Sequence, residues 1–450
     1  MTDTIQRSAS AAAGASVHER VVSAVEDAIA GGTLRAGDRL PTHRALAQQL
    51  SVSIGSVTRA IDALSARGVV RSEVGRGTFV AQVPATAESA GTIDLSVNAP
   101  APVIGPGQLE AAARIASERS MRLANGGYVD LAGTGEQRAV IAGWLSQTRS
   151  AFDSESILLC NGAQQGLHLS MALLQGEISA VVTEPASFPG AIAAAGNLGL
   201  TLRAVANDAQ GPLPEALAAV LAETGPAAVY LTPVCQNPMG YETGVPRRRA
   251  LAEIVERYGA FIIEDDIYGI YARQRGPLYR DLLPEQCFYV TSFSKSLTPL
   301  VRVGVLAPPP TFLAAARKRM RAESWGLPPF VIEMVVSLVE TGAVDVAVGQ
   351  MRREARERLA IVRKALPDST LPMPEGAPHV WLPLDPLRAE QIARRAGEAG
   401  IRIGPPSAMQ VGSAPVAGIR LCIMMPPQPA LQRAVETIAR LLAEEDEVVV

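Results

Sequence analysis

From residue 93 to residue 450, short apolar runs of strand character alternate with helical stretches, and this alternation restricts the fold more than any other feature of the chain. Runs at 180–183, 228–232, 261–264 and 288–291 each lead into a helix or a loop. Strands joined through helices return in the same direction, so the pattern predicts a mostly parallel sheet with helices on its faces, an α/β fold. From about residue 325 onward long amphipathic helices outnumber strands, which predicts a smaller α+β lobe. Hydrophobic residues make up 48% of the 450 and charged residues 19%, enough apolar content to bury sizeable cores.

The first 81 residues follow another pattern. Ser16 and Glu19 form a capping box, and Val17, Val21, Val25 and Ile29 recur at helical spacing until Gly31 and Gly32. A second helix is expected after Thr42, carrying Leu46, Ala47 and Leu50. A third is expected after Ser53, with Val57, Ile61 and Leu64 inward and Gly68 as its stop. Residues 69–74, the turn Gly75-Arg76-Gly77 and residues 78–80 then read as a hairpin. Three helices and a hairpin describe a winged helix-turn-helix. The second helix of such a motif places its first residues at base edges in the major groove. Those residues are Ser53, Ser56, Thr58 and Arg59, while Arg44 is placed for phosphate and Arg76 with Gly77 for the wing.

The net charge of −3 excludes a globally basic nucleic-acid protein but not a locally basic module. Residues 16–81 hold eight Arg against six acidic residues, a local excess of +2. The four cysteines lie far apart without a C-x-x-C, which points to neither a zinc site nor a disulfide framework. No apolar run approaches the roughly 18 residues of a membrane span. Residues 1–15, rich in Ser and Ala, read as a disordered tail, not a signal peptide, so a cytoplasmic protein is expected.

The span Gly37-Asp38-Arg39-Leu40-Pro41-Thr42-His43-Arg44-x-Leu46-Ala47, followed by Gly75-Arg76-Gly77-Thr78-Phe79-Val80, resembles the GntR family of bacterial transcription factors over all of 16–81. Ile54 departs from it; many relatives carry Arg there, and an arginine fork for guanine is missing.

Four constellations follow in order. Asn161-Gly162-Ala163-Gln164-Gln165-Gly166 comes after a strand and opens a helix, whose first amides suit a phosphate. Thr232-Pro233-x-x-Gln236-Asn237-Pro238-x-Gly240 follows another strand, and a cis X-Pro bond there would fix Asn237 in a cleft. Glu264-Asp265-Asp266-Ile267-Tyr268 ends a third strand, where ligands of open α/β sheets bind. Ser292-Phe293-Ser294-Lys295-Ser296 ends a fourth, with Arg302 seven residues on. Only three of the 41 basic residues are lysine. Lys318 and Lys364 sit on charged helices, whereas Lys295 stands among small hydroxyl residues at a strand end, where a buried amine can form a Schiff base. His168 and His379 are isolated and read as packing or surface residues.

Together, residues of about 94–445 resemble the fold-type I aminotransferases. The resemblance implies pyridoxal 5'-phosphate bound through a Schiff base to Lys295, with Asp265 on the pyridinium nitrogen and Tyr268 and Asn237 on the ring hydroxyl. It implies that Ser292, Arg302 and the backbone of Ala163 and Gln164 hold the phosphate. Phe188, where relatives often carry Tyr, would stack on the ring. Tyr128 would reach the neighbouring subunit's phosphate, and Arg420, in Ile419-Arg420-Leu421, would grip a substrate carboxylate. A GntR winged helix (16–81), a linker (82–93) and an aminotransferase-like unit (94–450) form the architecture of the MocR subfamily of regulators. The larger lobe is expected at about 125–320, and the smaller at about 321–450 with 94–124. The resemblance implies a homodimer, head-to-tail and domain-swapped, that binds operator DNA and senses a small amine, an amino acid or the cofactor itself, with no metal. A working aminotransferase carrying a DNA-binding module, and a regulator with a vestigial pocket, remain as alternatives.

Overall fold

The computed structural model describes residues 17–444 except 31–33, 35–37, 67–68, 74–76, 81–91, 125–126, 273–275 and 367–375. The expected tail, most of the linker, the capping box at Ser16, the stops at Gly31, Gly32 and Gly68, and the wing residues Gly75 and Arg76 lie outside the described residues. The chain divides into two compact units, with the boundary between Gly91 and Thr92.

The first unit contains helices α1 (Val17–Ala30), α2 (His43–Leu50) and α3 (Ile54–Ala66), and the antiparallel strands β1 (Val70–Glu73) and β2 (Gly77–Val80). Thr42 caps α2 by accepting the Ala45 amide, and Ser53 caps α3 by accepting the Ser56 amide at 3.1 Å. Val57, Ile61 and Leu64 are buried as the spacing predicts. The first helix differs from its predicted stripe. Val17 is exposed; among the described side chains Val21 and Val25 are buried as expected, together with Ala24 and Ala28, and the side chain of Ile29 lies outside them. The alanines complete a 3.6-residue stripe that a count of large apolar residues alone misses. The segment before α2 also joins the hairpin. Leu40 donates its amide to the Thr78 carbonyl, and Val80 donates to the Asp38 carbonyl.

The second unit is built on seven strands. They are β4 (Leu158–Asn161), β5 (Ala180–Thr183), β6 (Thr201–Ala204), β9 (Ala227–Leu231), β10 (Phe261–Asp265), β11 (Cys287–Ser292) and β12 (Val303–Ala307). Strand β3 (Ile93–Asp94) precedes them, and a two-residue hairpin of β7 (Asn207–Asp208) and β8 (Gly211–Pro212) follows β6. The sheet order is β4-β12-β11-β10-β9-β5-β6, and only β12 opposes the others. Every residue of β5, β9 and β12 is buried, as in a sheet covered on both faces.

The smaller lobe pairs β13 (His379–Pro383) with β15 (Gly418–Cys422), and β14 (Ile401–Arg402) with β3. Helix α4 (Pro106–Ala124) and the helix Pro329–Glu340 bury Ala112, Ile332, Val335 and Val336 in one cluster with Ile141, Tyr289, Phe293 and Val303 of the larger lobe. The helix Ala343–Ala365 runs between the two cores, with Val344 and Ala347 in that cluster and Met351, Ala355, Leu359 and Val362 in the smaller lobe's. Amphipathic periodicity marks a helix but not the surface that will cover its apolar face.

Candidate functional site

The carboxyl ends of β4, β5, β9, β10 and β11 meet at one edge of the sheet. Because β12 runs backward, its start, and Arg302 just before it, arrives at that same edge. A cavity of about 320 Å³ opens there. It is lined by Ala163, Gln164, Phe188, Asn237, Asp265, Tyr268, Ser292, Lys295, Arg302 and Arg420, all expected from sequence. Ser294 of the fourth motif also lines it, as do Asn98 and Tyr230, which sequence reading did not single out.

The phosphate end is shaped by close backbone approach. Asn161 begins the helix Gly162–Leu174 without a side-chain capping bond, so its first amides remain for an anion. A Cβ on Gly304 of β12 would lie 2.4 Å from the Gly162 carbonyl carbon, so only glycine lets this turn sit so low. Gly162 itself has φ +66°, and the Arg302 guanidinium lies 3.1 Å from where its Cβ would stand. The Ser292 hydroxyl accepts the Ser294 amide at 3.0 Å and donates to the Ser294 hydroxyl at 2.9 Å.

The two aspartates of the β10 motif separate by strand alternation. Asp266 is held by Arg149, in a bidentate pair at 2.6 and 2.7 Å, and by the Tyr289 hydroxyl, so it is committed to structure. Asp265 lines the cavity. Burial pushes its carboxyl up to about 6, against the Tyr230 hydroxyl that donates to it at 2.8 Å and the Ile267 amide. Burial presses the Lys295 amine down to about 8; Arg420 and Arg302 act in the same direction and Asp265 against it. Lys295 donates to the Asn98 carbonyl.

The Asn237–Pro238 bond is cis, as the motif suggested, and the Asn237 side-chain amide oxygen Oδ1 accepts from Arg420 at 2.6 Å. Arg420, buried on β15, also donates to the Ser96 carbonyl at 2.6 Å, while among the described residues its Nε has no partner. Phe188 precedes the helix Pro189–Asn197. A Cβ on Gly190 would stand 2.4 Å from its ring and 2.3 Å from Gln164 Oε1, so this glycine lets both reach the cavity. Tyr128 lies outside this cavity, 88% exposed, its ring centroid 5.1 Å from that of Trp325. Lys318 and Lys364 are exposed, as expected. His379 is fully buried, the packing alternative of the sequence reading, and is bonded to Asn98.

In the first unit, Arg44 and Arg59 are exposed, and Arg59 Nε lies 3.4 Å from the Gly55 carbonyl of its own helix. The Ser53 and Ser56 hydroxyls meet at 2.9 Å. Thr58 donates to the Ile54 carbonyl and lies 3.3 Å from His43 Nδ1. Gly77 has φ +120°, and a Cβ there would meet the Arg39 side chain at 2.7 Å, a structural reason for glycine at the base of the wing.

Residues 90–438 match the family model of aminotransferase class I and II, and residues 17–80 match that of bacterial regulatory proteins of the gntR family. The chain is 29% identical to the probable rhizopine catabolism regulatory protein MocR of Rhizobium meliloti, over 89% of each chain. It is 30% identical to the pyridoxine biosynthesis transcriptional regulator PdxR of Corynebacterium glutamicum, over 78% of this chain and 79% of that one. The chain belongs to the MocR-type GntR regulators. Among solved structures, α-aminoadipate aminotransferase LysN of Thermus thermophilus, complexed with N-(5'-phosphopyridoxyl)-L-leucine, is similar with a TM-score of 0.70 and 27% identity, covering 80% of this chain and 95% of LysN.

Pyridoxal phosphate is the cofactor that this MocR-type fold implies. The residues present fit it: an amine pressed toward neutrality, a buried carboxyl for a ring cation, uncapped amides with Arg302 and two serines for a phosphate, and an Arg420 Nε still lacking an acceptor. Among the described residues no cluster suits a metal, and no helix is long and apolar enough to cross a membrane.

Proposed function

We infer that this chain regulates transcription by binding operator DNA through its winged helix and a small amine or amino acid through the Lys295 cavity. The observation that carries the reading is the convergence of Lys295, Asp265, Tyr268 and Arg420 on one cavity in a chain that also holds a gntR-family module. Pyridoxal phosphate, when bound, supplies an aldehyde that condenses with amines and a ring that withdraws electrons. The protein's residues supply the rest. Lys295 offers its neutral amine, and Asp265 stabilises a positive ring nitrogen. Tyr268 and Asn237 meet the ring hydroxyl, and Phe188 covers a ring face. Ser292, Arg302 and the Ala163 and Gln164 amides hold the phosphate. Arg420 takes a carboxylate of the effector by a two-point contact.

Ser96 and Asn98, whose carbonyls hold Arg420 and Lys295, lie just beyond the residues that join the two units in sequence. An effector that draws Arg420 and Lys295 away from these carbonyls favours a second arrangement of this segment, and its differential affinity for the two arrangements sets the size of the response. On the DNA side, Arg44 and Arg76 contact phosphate, and Ser53, Ser56, Thr58, Arg59 and Gly77 lie along the groove and the wing. The working form is a cytoplasmic homodimer, head-to-tail, in which Tyr128 serves the partner's cavity. Its exposure beside the exposed Trp325, Met121 and Phe330 supports such an interface.

Operator affinity of the cofactor-loaded protein, measured with and without each of a panel of amino acids and simple amines, tests the reading. At least one compound changes the affinity, and the change disappears in Lys295→Ala. Rapid complete transamination of a donor with a keto acid, with operator affinity unmoved, would favour an enzyme instead.

A further inference from the structure

The side chains around Tyr268 fix the direction of its proton. His379 Nε2 lies 2.9 Å from the Gln236 carbonyl oxygen, which can only accept, so Nε2 carries the hydrogen. Burial presses the imidazole down to about 3, with Arg420 and Lys295 acting the same way, so the ring is neutral and Nδ1 is a bare acceptor. The atom of Asn98 that meets Nδ1 at 2.9 Å must therefore be its amide nitrogen. The second hydrogen of that nitrogen is directed at Tyr268 Oη, 2.8 Å away. The Tyr268 oxygen is thus an acceptor on its protein side, and among the described residues its hydroxyl has no acceptor of its own. Its proton faces the cavity. The rings of Tyr268 and His379 lie 5.5 Å apart, which keeps the three side chains in one packed unit.

We propose that Asn98 and His379 are positioning residues that hold the Tyr268 hydroxyl as a one-way hydrogen-bond donor into the cofactor cavity. The proposal rests on the reading that this cavity holds pyridoxal phosphate. With pyridoxal phosphate on Lys295, a donor held by Tyr268 at the ring oxygen would favour the anionic form of that oxygen, and the Lys295 nitrogen would lose its proton at lower pH. The other titratable groups around Tyr268 are Asp265, Arg420, Cys235, Cys422 and Tyr271, with Lys295 beyond Asn98. None of them is altered in the variants below.

The test is the pH titration of visible absorption in the cofactor-loaded full chain, between about pH 5 and pH 10. Asn98→Asp replaces the donor with an acceptor that takes the Tyr268 proton, and the midpoint rises by about one pH unit or more. His379→Leu frees the Asn98 amide to turn, and the midpoint rises by a smaller amount. His379→Gln keeps one acceptor for Asn98 and one donor for the Gln236 carbonyl, and the midpoint stays at the wild-type value. Wild-type midpoints in Asn98→Asp and His379→Leu would overturn the proposal. So would a displaced midpoint in His379→Gln, which holds even if the other two variants do not fold. A wild-type protein that takes up no cofactor would instead overturn the underlying reading.

Discussion

At the residue scale, one carboxyl and one amine carry most of the chemistry, and both are displaced from their solution behaviour by burial. Asp265 is held up at about 6. A carboxyl raised above its unfolded value contributes its stability below that value and loses it as pH rises through the folded one. In the cofactor-free protein ionised Asp265 therefore opposes folding above about pH 6. Asp265→Asn stabilises the cofactor-free form at neutral pH by up to on the order of 3 kcal/mol, seen as a raised thermal midpoint, and lowers cofactor affinity about ten- to a hundredfold. Thermal denaturation with and without cofactor separates the two effects. Lys295, pressed down to about 8, gives the opposite titration. Only its neutral form attacks an aldehyde, so the rate of covalent cofactor capture rises about tenfold per pH unit below pH 8 and levels off above it. Stopped-flow absorbance across that range measures the profile.

The same scale shows what was legible in the sequence. Lys295, Asp265, Asn237 and Arg302 announce themselves because each stands beside a strand end with small or turn residues around it. Asn98 and His379 give no local signal, since their contacts span 170 and 281 residues of chain. Tyr230, inside an apolar strand, reads as core until the fold sets its hydroxyl 2.8 Å from Asp265.

At the element scale, the cavity depends on how close two backbones come. The Gly162–Ala163 turn lies against Gly304 of β12 with no room for a methyl group. Gly304→Ala lifts that turn, and phosphate-bearing cofactor binds about ten- to a hundredfold more weakly, while free pyridoxal loses less. Fluorescence titration with both compounds reads the difference. The motif around Gly162 was visible in sequence; its partner Gly304 was not, because strand pairing brings the two together. The winged helix was legible almost element by element. Its first helix alone differs, because alanines form part of the buried face. Arg44 is exposed at the start of α2. Arg44→Ala weakens binding to all DNA sequences alike and reduces the slope of log affinity against log salt by about 1, measured by fluorescence anisotropy.

At the scale of the whole molecule, the order of the two units makes one chain both a reader of DNA and a holder of a reactive aldehyde. The helix Ala343–Ala365 serves both cores, and its amphipathic pattern alone does not say where one ends. The chemistry of the cavity turns on one amine. Among the three lysines, Lys318 and Lys364 are exposed on helices and Lys295 alone lines the cavity. Borohydride reduction of the cofactor-loaded protein followed by peptide mapping reports which amine holds pyridoxal phosphate. One labelled peptide, containing Lys295, is expected, and none from Lys295→Ala; label on Lys318 or Lys364 with Lys295 unmodified would contradict the assignment.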